Sequence, residues 1–117
     1  MFNKELKIER RLSERFSTRL RSLVLFNERI CTGIVENFSK DGIAMSADNL
    51  QAASMKDCIG HKAKVFIANP EGGCTIILTC EIMWGPEAVS DYRSCIGMKV
   101  IEPPISYIEL LKNHIKL

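Results

Sequence analysis

The feature that most constrains the fold is a long stretch in which apolar and polar side chains alternate with a period of two. Residues 74–84 place one set on the same face of an extended chain, namely Cys74, Ile76, Leu78, Cys80, Ile82 and Trp84. Thr75, Thr79 and Glu81 lie on the opposite face. This alternation is typical of a strand with one face in the core. We therefore predict a strand over residues 74–84, with the first set of side chains in the core.

The same alternation recurs along the chain, interrupted by turn-forming residues. Further strands are predicted over residues 17–26, 30–38, 43–47, 62–68 and 92–101. Turns at 39–42 and 69–73 and a loop at 85–91 separate some of them. Strands at hairpin spacing without intervening helices predict an all-β antiparallel fold. At this length we expect a small closed barrel, which leaves no exposed sheet edge.

The two ends of the chain differ from this strand pattern. Residues 1–16 are predicted to form a flexible basic arm or a short helix in front of the barrel of residues 17–117, within one domain overall. After Pro104, a helix is predicted with a capping box of Ser106 and Glu109. Its apolar stripe of Ile108, Leu111 and Ile115 is expected to cover an open end or an edge of the sheet.

Weaker signals come from the region between the third and fourth strands and from the cysteines. Residues 48–61 are irregular, with one helical turn expected near residues 50–55. The five cysteines are an odd number and widely spaced, which favours a reduced, cytoplasmic protein. Those in apolar stretches, such as Cys74 and Cys80, are expected to be core residues. Neither a secretory leader nor an apolar run long enough to cross a membrane is found, so no membrane insertion is expected.

Charge is concentrated at the N-terminus. Seven Lys/Arg and three Glu give residues 1–21 a net charge of +4, which leaves −2 for the rest of a chain whose total is +2. A basic arm on a slightly acidic body predicts a local anion site, whereas a nucleic-acid surface is usually more broadly basic.

Two short motifs carry the chemistry of such a site. Arg11 and Arg15 lie four residues apart, and their planar guanidinium groups fit phosphates or the O6/N7 edge of guanine. The turn that begins after Asn37 contains Ser39 and Gly42. An amide, a hydroxyl and a glycine able to take a positive φ are suited to contacting a nucleotide closely.

The paired R-x-x-x-R and N-x-S-x-x-G motifs resemble the signature of the PilZ domain family. The resemblance extends over roughly residues 9–115 and implies a six-stranded barrel with a terminal helix that binds cyclic di-GMP. It implies that Arg11 and Arg15 contact guanine and phosphate and that Asn37 and Ser39 contact a second part of the ligand. Gly42 would shape the turn.

The resemblance has three further implications. Arg10 precedes the motif, and an extra arginine there favours a stacked pair of ligand molecules over a single one. Binding would order the basic arm and so expose or hide a surface for a downstream protein partner. The chain would then be a receptor that has no catalytic activity and no cofactor other than its ligand.

Other functions fit the sequence less well. An adaptor of the same fold that binds little nucleotide is the main alternative, against which the intact motifs argue. A barrel that binds RNA or single-stranded DNA would need more exposed aromatic residues, and no nucleic acid is expected as a partner. Cys58 and His61 lie three apart but lack a second pair, so no metal site is expected. Trp84 is interpreted as core or barrel-end packing, although near a ligand it could stack on a base.

Overall fold

Six strands close into a barrel in the computed structural model, which describes residues 10–48, 58–90 and 93–115. They are β1 (Phe16–Phe26), β2 (Arg29–Phe38), β3 (Gly42–Asp48), β4 (Lys62–Ile67), β5 (Ile76–Ser90) and β6 (Arg93–Ile101), followed by helix α1 (Ile105–Lys112). The order around the barrel is β1-β2-β3-β6-β5-β4, with every neighbouring pair antiparallel and β4 pairing with β1. The predicted six-stranded antiparallel barrel with a C-terminal helix is confirmed.

Buried and exposed side chains alternate along the strands, and the buried ones fill the interior of the barrel. In β1, Leu20, Val24 and Phe26 are buried, while Arg21 and Leu23 between them are exposed. The largest side chains that are fully buried come from all six strands and the helix, and include Phe38, Ile43, Met45, Ile67, Ile76, Leu78, Ile82, Ile96 and Tyr107. Each apolar side chain removed from water in this way contributes about 1.5–3 kcal/mol, so this shared core is what holds the strands together.

The main departure from the predicted strands lies in β5. The stretch predicted as a loop at residues 85–91 is mostly strand, because β5 continues to Ser90. Its pairing with β6 shifts register between Ile82 and Trp84 and again between Trp84 and Glu87. Gly85, at φ +118°, takes a conformation that other residues rarely adopt. Bulges of this kind let a strand pass through a Gly-Pro pair that by sequence indicates a loop.

The same irregularity corrects two core assignments. Cys74 precedes the strand and is exposed, and Trp84 is 42% exposed because the bulge after Ile82 turns its side chain out of the core. Cys80 is buried as predicted, and burial raises the pKa of its thiol to about 12. None of the five cysteines forms a disulfide bond.

Helix α1 closes one end of the barrel but does not use the predicted capping box. It begins at Ile105, with Pro104 as the N-cap and no side-chain cap, so Ser106 already lies inside the first turn. Tyr107, Leu110 and Leu111 are its buried residues. The predicted stripe does pack on the barrel, with Leu111 fully buried and Ile108 and Ile115 partly buried against the core.

The two histidines occupy different environments. His61 is exposed, but the His114 ring is half-buried and packs edge-on against Phe38, with 5.0 Å between ring centroids. Cys58, three residues before His61, is buried. Within the described residues, no group of three His, Cys, Asp or Glu could hold a metal ion. The helical turn expected near residues 50–55 lies outside the described residues. In the described part of the chain, no helix has the length and apolar character to span a membrane.

Phe38 provides a direct test of the barrel end. Its ring is fully buried and contacts the rings of Phe16, Tyr107 and His114. We expect Phe38→Ala to lower the free energy of unfolding by about 3–5 kcal/mol, as measured by urea denaturation. The control is Ile30→Ala, whose side chain is 69% exposed, with an expected change within about 0.5 kcal/mol. Equal losses in the two variants would contradict this assignment of the core.

Candidate functional site

The turn between β2 and β3 is held in shape by Ser39. Its side-chain oxygen accepts hydrogen bonds from the main-chain N–H of Asp41 at 3.3 Å and of Gly42 at 3.2 Å. The main-chain N–H of Ser39 donates to the Gly42 carbonyl at 2.8 Å. Ser39 is only 3% exposed, so its hydroxyl is engaged mainly in shaping the turn.

Three other parts of the chain fix this turn in place. The Tyr107 hydroxyl donates to the main-chain carbonyl of Ser39 at 2.5 Å, and burial raises the pKa of Tyr107, which keeps the phenol protonated as a donor. The N–H of Lys40 donates to the carbonyl of Leu12 at 2.6 Å, and Val100 N–H donates to the Asp41 carbonyl at 2.8 Å. The helix, the N-terminal segment and β6 therefore all hold the turn through its main chain.

Arg15 lies directly over this turn. One guanidinium nitrogen, Nη1, donates to the side-chain oxygen of Asn37 at 2.7 Å. Gly42 makes room for the other, because a Cβ at that position would lie 3.1 Å from Arg15 Nη2 and 3.1 Å from the Met98 carbonyl. The φ of Gly42 is not positive, contrary to the expected turn geometry, so its role is to allow this close approach.

Two open grooves meet at Arg15 and Trp84. The first, of about 370 Å³, is lined on the turn side by Ser39, Asp41 and Gly42 and also by Ser13, Met83, Met98 and Lys99. The second, of about 530 Å³, is lined by Ser17, Glu36, Asn37, Ala44 and Cys95. Arg15 and Trp84 line both, so a ligand in either groove would meet a guanidinium group and an aromatic ring.

Trp84 lines both grooves, although it was interpreted from the sequence as core or barrel-end packing. Its partner across the β5–β6 ladder is Gly97, and a Cβ on Gly97 would overlap the indole ring. The ring therefore occupies the space that a Cβ at position 97 would fill, which only glycine leaves free. The signal in the sequence was a single tryptophan near a Gly-Pro pair, but strand alternation assigned that side chain to the core.

The two other predicted arginines lie apart from the grooves. Arg10 is exposed, and Arg11 is partly buried with its Nε 3.7 Å from a carboxylate oxygen of Glu14. Both belong to a short helical turn at residues 10–12 that docks through Leu12, and neither lines a groove. The structure thus brings together Arg15, the Asn37 side chain and the 39–42 turn, and leaves Arg10 and Arg11 about one helical turn away in sequence.

In chemical terms, the site offers a planar cation, an exposed indole and main-chain groups at a rigid turn. Lys99 adds a second positive charge, while Glu36 and Asp41 supply carboxylates at the margins. A guanidinium group binds phosphate through two parallel hydrogen bonds, and an indole face stacks on a planar base. This combination is suited to a ligand that carries both a base and a phosphate.

The seating of Trp84 on Gly97 can be tested by fluorescence, because the chain has a single tryptophan. In Gly97→Ala the added methyl group would push the indole ring into solvent. We expect a red shift of the emission and a destabilisation of about 1–3 kcal/mol. Val100→Ala, a buried change on the same strand, should destabilise the barrel but leave the emission maximum unchanged. An unchanged emission maximum in Gly97→Ala would contradict this contact.

Comparison with known proteins adds the family. Among solved structures, the chain is similar to the Bacillus subtilis inhibitor of motility (MotI/DgrA), with 16% identity and a TM-score of 0.61, over 86% of this chain and 46% of that one. It is also similar to the Borreliella burgdorferi PlzA protein in complex with c-di-GMP, with 8% identity and a TM-score of 0.62, over 94% of this chain and 56% of that one. This chain thus spans about half the length of each, and at these identities the likeness shows the fold alone.

A sequence search of curated proteins finds no match. Compared with models of protein families, however, residues 9–117 match the PilZ domain. The matched range spans Arg11 and Arg15, the 39–42 turn, all six strands and the helix. The chain therefore belongs to the PilZ domain family.

Proposed function

We propose that this chain is a receptor for cyclic di-GMP, with its ligand site in the two grooves that meet at Arg15 and Trp84. The observation that carries the proposal is the exposed Arg15 guanidinium, held by Asn37 over Gly42, where it lines both grooves. The PlzA protein, which has the same fold, is in complex with this ligand.

The ligand chemistry matches the groups at this point. A guanine base would stack on the exposed face of Trp84, while Arg15 would donate to a phosphate or to the O6/N7 edge of guanine. In doing so Arg15 would exchange its single hydrogen bond to the neutral Asn37 amide for two parallel hydrogen bonds to an anionic phosphate. The freed Asn37 amide could then bond to the ligand itself.

Arg11 and Arg10 would join the site from the N-terminal turn. The contact between Arg11 and Glu14 is partly exposed, and such pairs contribute about 0–1 kcal/mol, so a phosphate would displace Glu14 readily. Arg10 has an exposed side chain and would contact a second, stacked ligand molecule. These movements would change the surface of the N-terminal segment, which we propose relays the signal to a protein partner.

On this basis the chain would be a binding protein rather than an enzyme. The grooves are open, and the cation, indole and turn within them bind and orient a ligand. A cytoplasmic location is part of the proposal and is supported by five cysteines outside any disulfide bond, as is usual in a reducing compartment.

Calorimetric titration of cyclic di-GMP into the full chain tests the receptor function. Losing a hydrogen bond to a charged group costs about 1.5–3 kcal/mol, so we expect Arg15→Ala to weaken binding roughly tenfold to hundredfold. The control is Arg19→Ala, an exposed arginine on β1 that lines neither groove, and its binding should match the wild type. Equal affinities in the two variants would contradict the site.

The same titration also decides between one ligand and two. We expect two cyclic di-GMP molecules per wild-type chain and one in Arg10→Ala. Absence of binding to the wild type would instead favour an adaptor of the same fold that acts by protein contact alone.

A further inference from the structure

The outer wall of the barrel carries a row of apolar side chains that the ligand site does not use. Leu23 on β1 pairs with Phe66 on β4, and Phe66 pairs with Ile77 on β5. Leu23 is 40% exposed and Ile77 is 50% exposed, with Phe66 half-buried between them. Strands lie about 4.8 Å apart, so these residues, named here the wall row, span roughly 10 Å across three strands.

Neighbouring residues widen this surface. Leu25 and Ile30 pair across β1 and β2, and Ile30 is 69% exposed. A shallow groove of about 300 Å³ runs beside the wall row, with Leu23 and Phe66 in its lining. Single exposed apolar residues are common on protein surfaces, but contiguous ones in register across adjacent strands mark an interaction surface.

The rim of the wall row is positively charged. Arg21 lies two residues before Leu23 on the same outer face and lines the groove, and Lys64 lies two residues before Phe66. Both side chains are exposed, and neither forms an ion pair with a carboxylate of the described residues. Lys64 donates instead to the Thr79 hydroxyl at 2.7 Å. An apolar strip with unpaired cations at its margin is complementary to a segment that combines apolar and acidic side chains.

We propose that the wall row is the docking surface for a partner protein, which binds through a segment of apolar side chains flanked by Asp or Glu. The apolar side chains would cover Leu23, Phe66 and Ile77, and the carboxylates would pair with Arg21 and Lys64. None of these five residues lines the two grooves at Arg15 and Trp84. The wall row and the candidate nucleotide site therefore share no residue.

Charge and shape favour this partner over two others. In a symmetric contact between two copies of the chain, the same patch meets itself, so Arg21 and Lys64 would face like charges. A lipid surface is bound by amphipathic helices whose apolar side chains enter the membrane interface. The wall row is instead part of a strand wall, with its central ring half-buried.

Site-specific photocrosslinking in the cells that produce the protein tests the proposal. The photoreactive residue p-benzoylphenylalanine is placed in the full chain in place of Leu23 or, as the control, in place of the exposed Glu109 on α1. The crosslinked segment of the partner is mapped by mass spectrometry, synthesised as a peptide and titrated into purified protein. We expect a protein adduct from position 23 only, through an apolar segment with net negative charge.

Four variants then test how the peptide binds. Leu23→Asp and Arg21→Glu should each weaken binding at least tenfold, whereas the control changes Ile105→Asp and Lys112→Glu, at exposed positions on α1, should not. Leu23→Asp should remain folded and keep the wild-type cyclic di-GMP titration, which separates this proposal from the proposed receptor function. An adduct with lipid, with a second copy or with a basic segment, an equal yield at position 109, or unchanged peptide binding in Leu23→Asp would overturn it.

Discussion

The hydrogen bond from the buried phenol of Tyr107 to the main-chain carbonyl of Ser39 connects the barrel to its candidate site. A buried hydroxyl or carbonyl left without a partner costs about 1–3 kcal/mol, so this bond fixes where the 39–42 turn lies relative to α1. The next residue, Lys40, binds the carbonyl of Leu12, which holds the N-terminal segment on the same turn. The position of Arg15 above Gly42 depends on both contacts.

Arg11 and Arg15 of the candidate site each contact another side chain of the protein. Arg15 contacts Asn37 and Arg11 contacts Glu14, so each guanidinium group has an acceptor within the protein. These contacts are partly exposed and therefore weak, whereas bidentate hydrogen bonds to phosphate are strong. A phosphate ligand would replace them at small cost. Because Arg15 and Trp84 line both grooves, occupation of one groove would also alter the walls of the other.

Strand alternation was enough to predict the barrel, because residues such as Leu20, Val24 and Phe26 can be buried together only in extended chain. It failed at Trp84, where a bulge shifts the register and turns the ring outwards, since a bulge depends on the partner strand and leaves no periodic signal. The spacing of Ser106 and Glu109 has the form of a capping box, so Ser106 was predicted to cap the helix. Pro104 is the N-cap instead, and the helix begins at Ile105. The motifs predicted Ser39 as a ligand-binding residue, but its role in shaping the turn depends on contacts formed only in the folded chain, since the Asp41 and Gly42 N–H groups compete with any ligand for its oxygen.

The most direct test of the receptor account is an NMR titration of the full chain with cyclic di-GMP, followed through backbone amides and the single indole N–H. We expect the largest shifts at the Trp84 indole and at the amides of Asn37, Gly42 and Gly97, with the wall row at Leu23 and Phe66 little affected. Shifts concentrated at the wall row, or no shifts at ligand concentrations well above the dissociation constants of typical receptors, would contradict the receptor function.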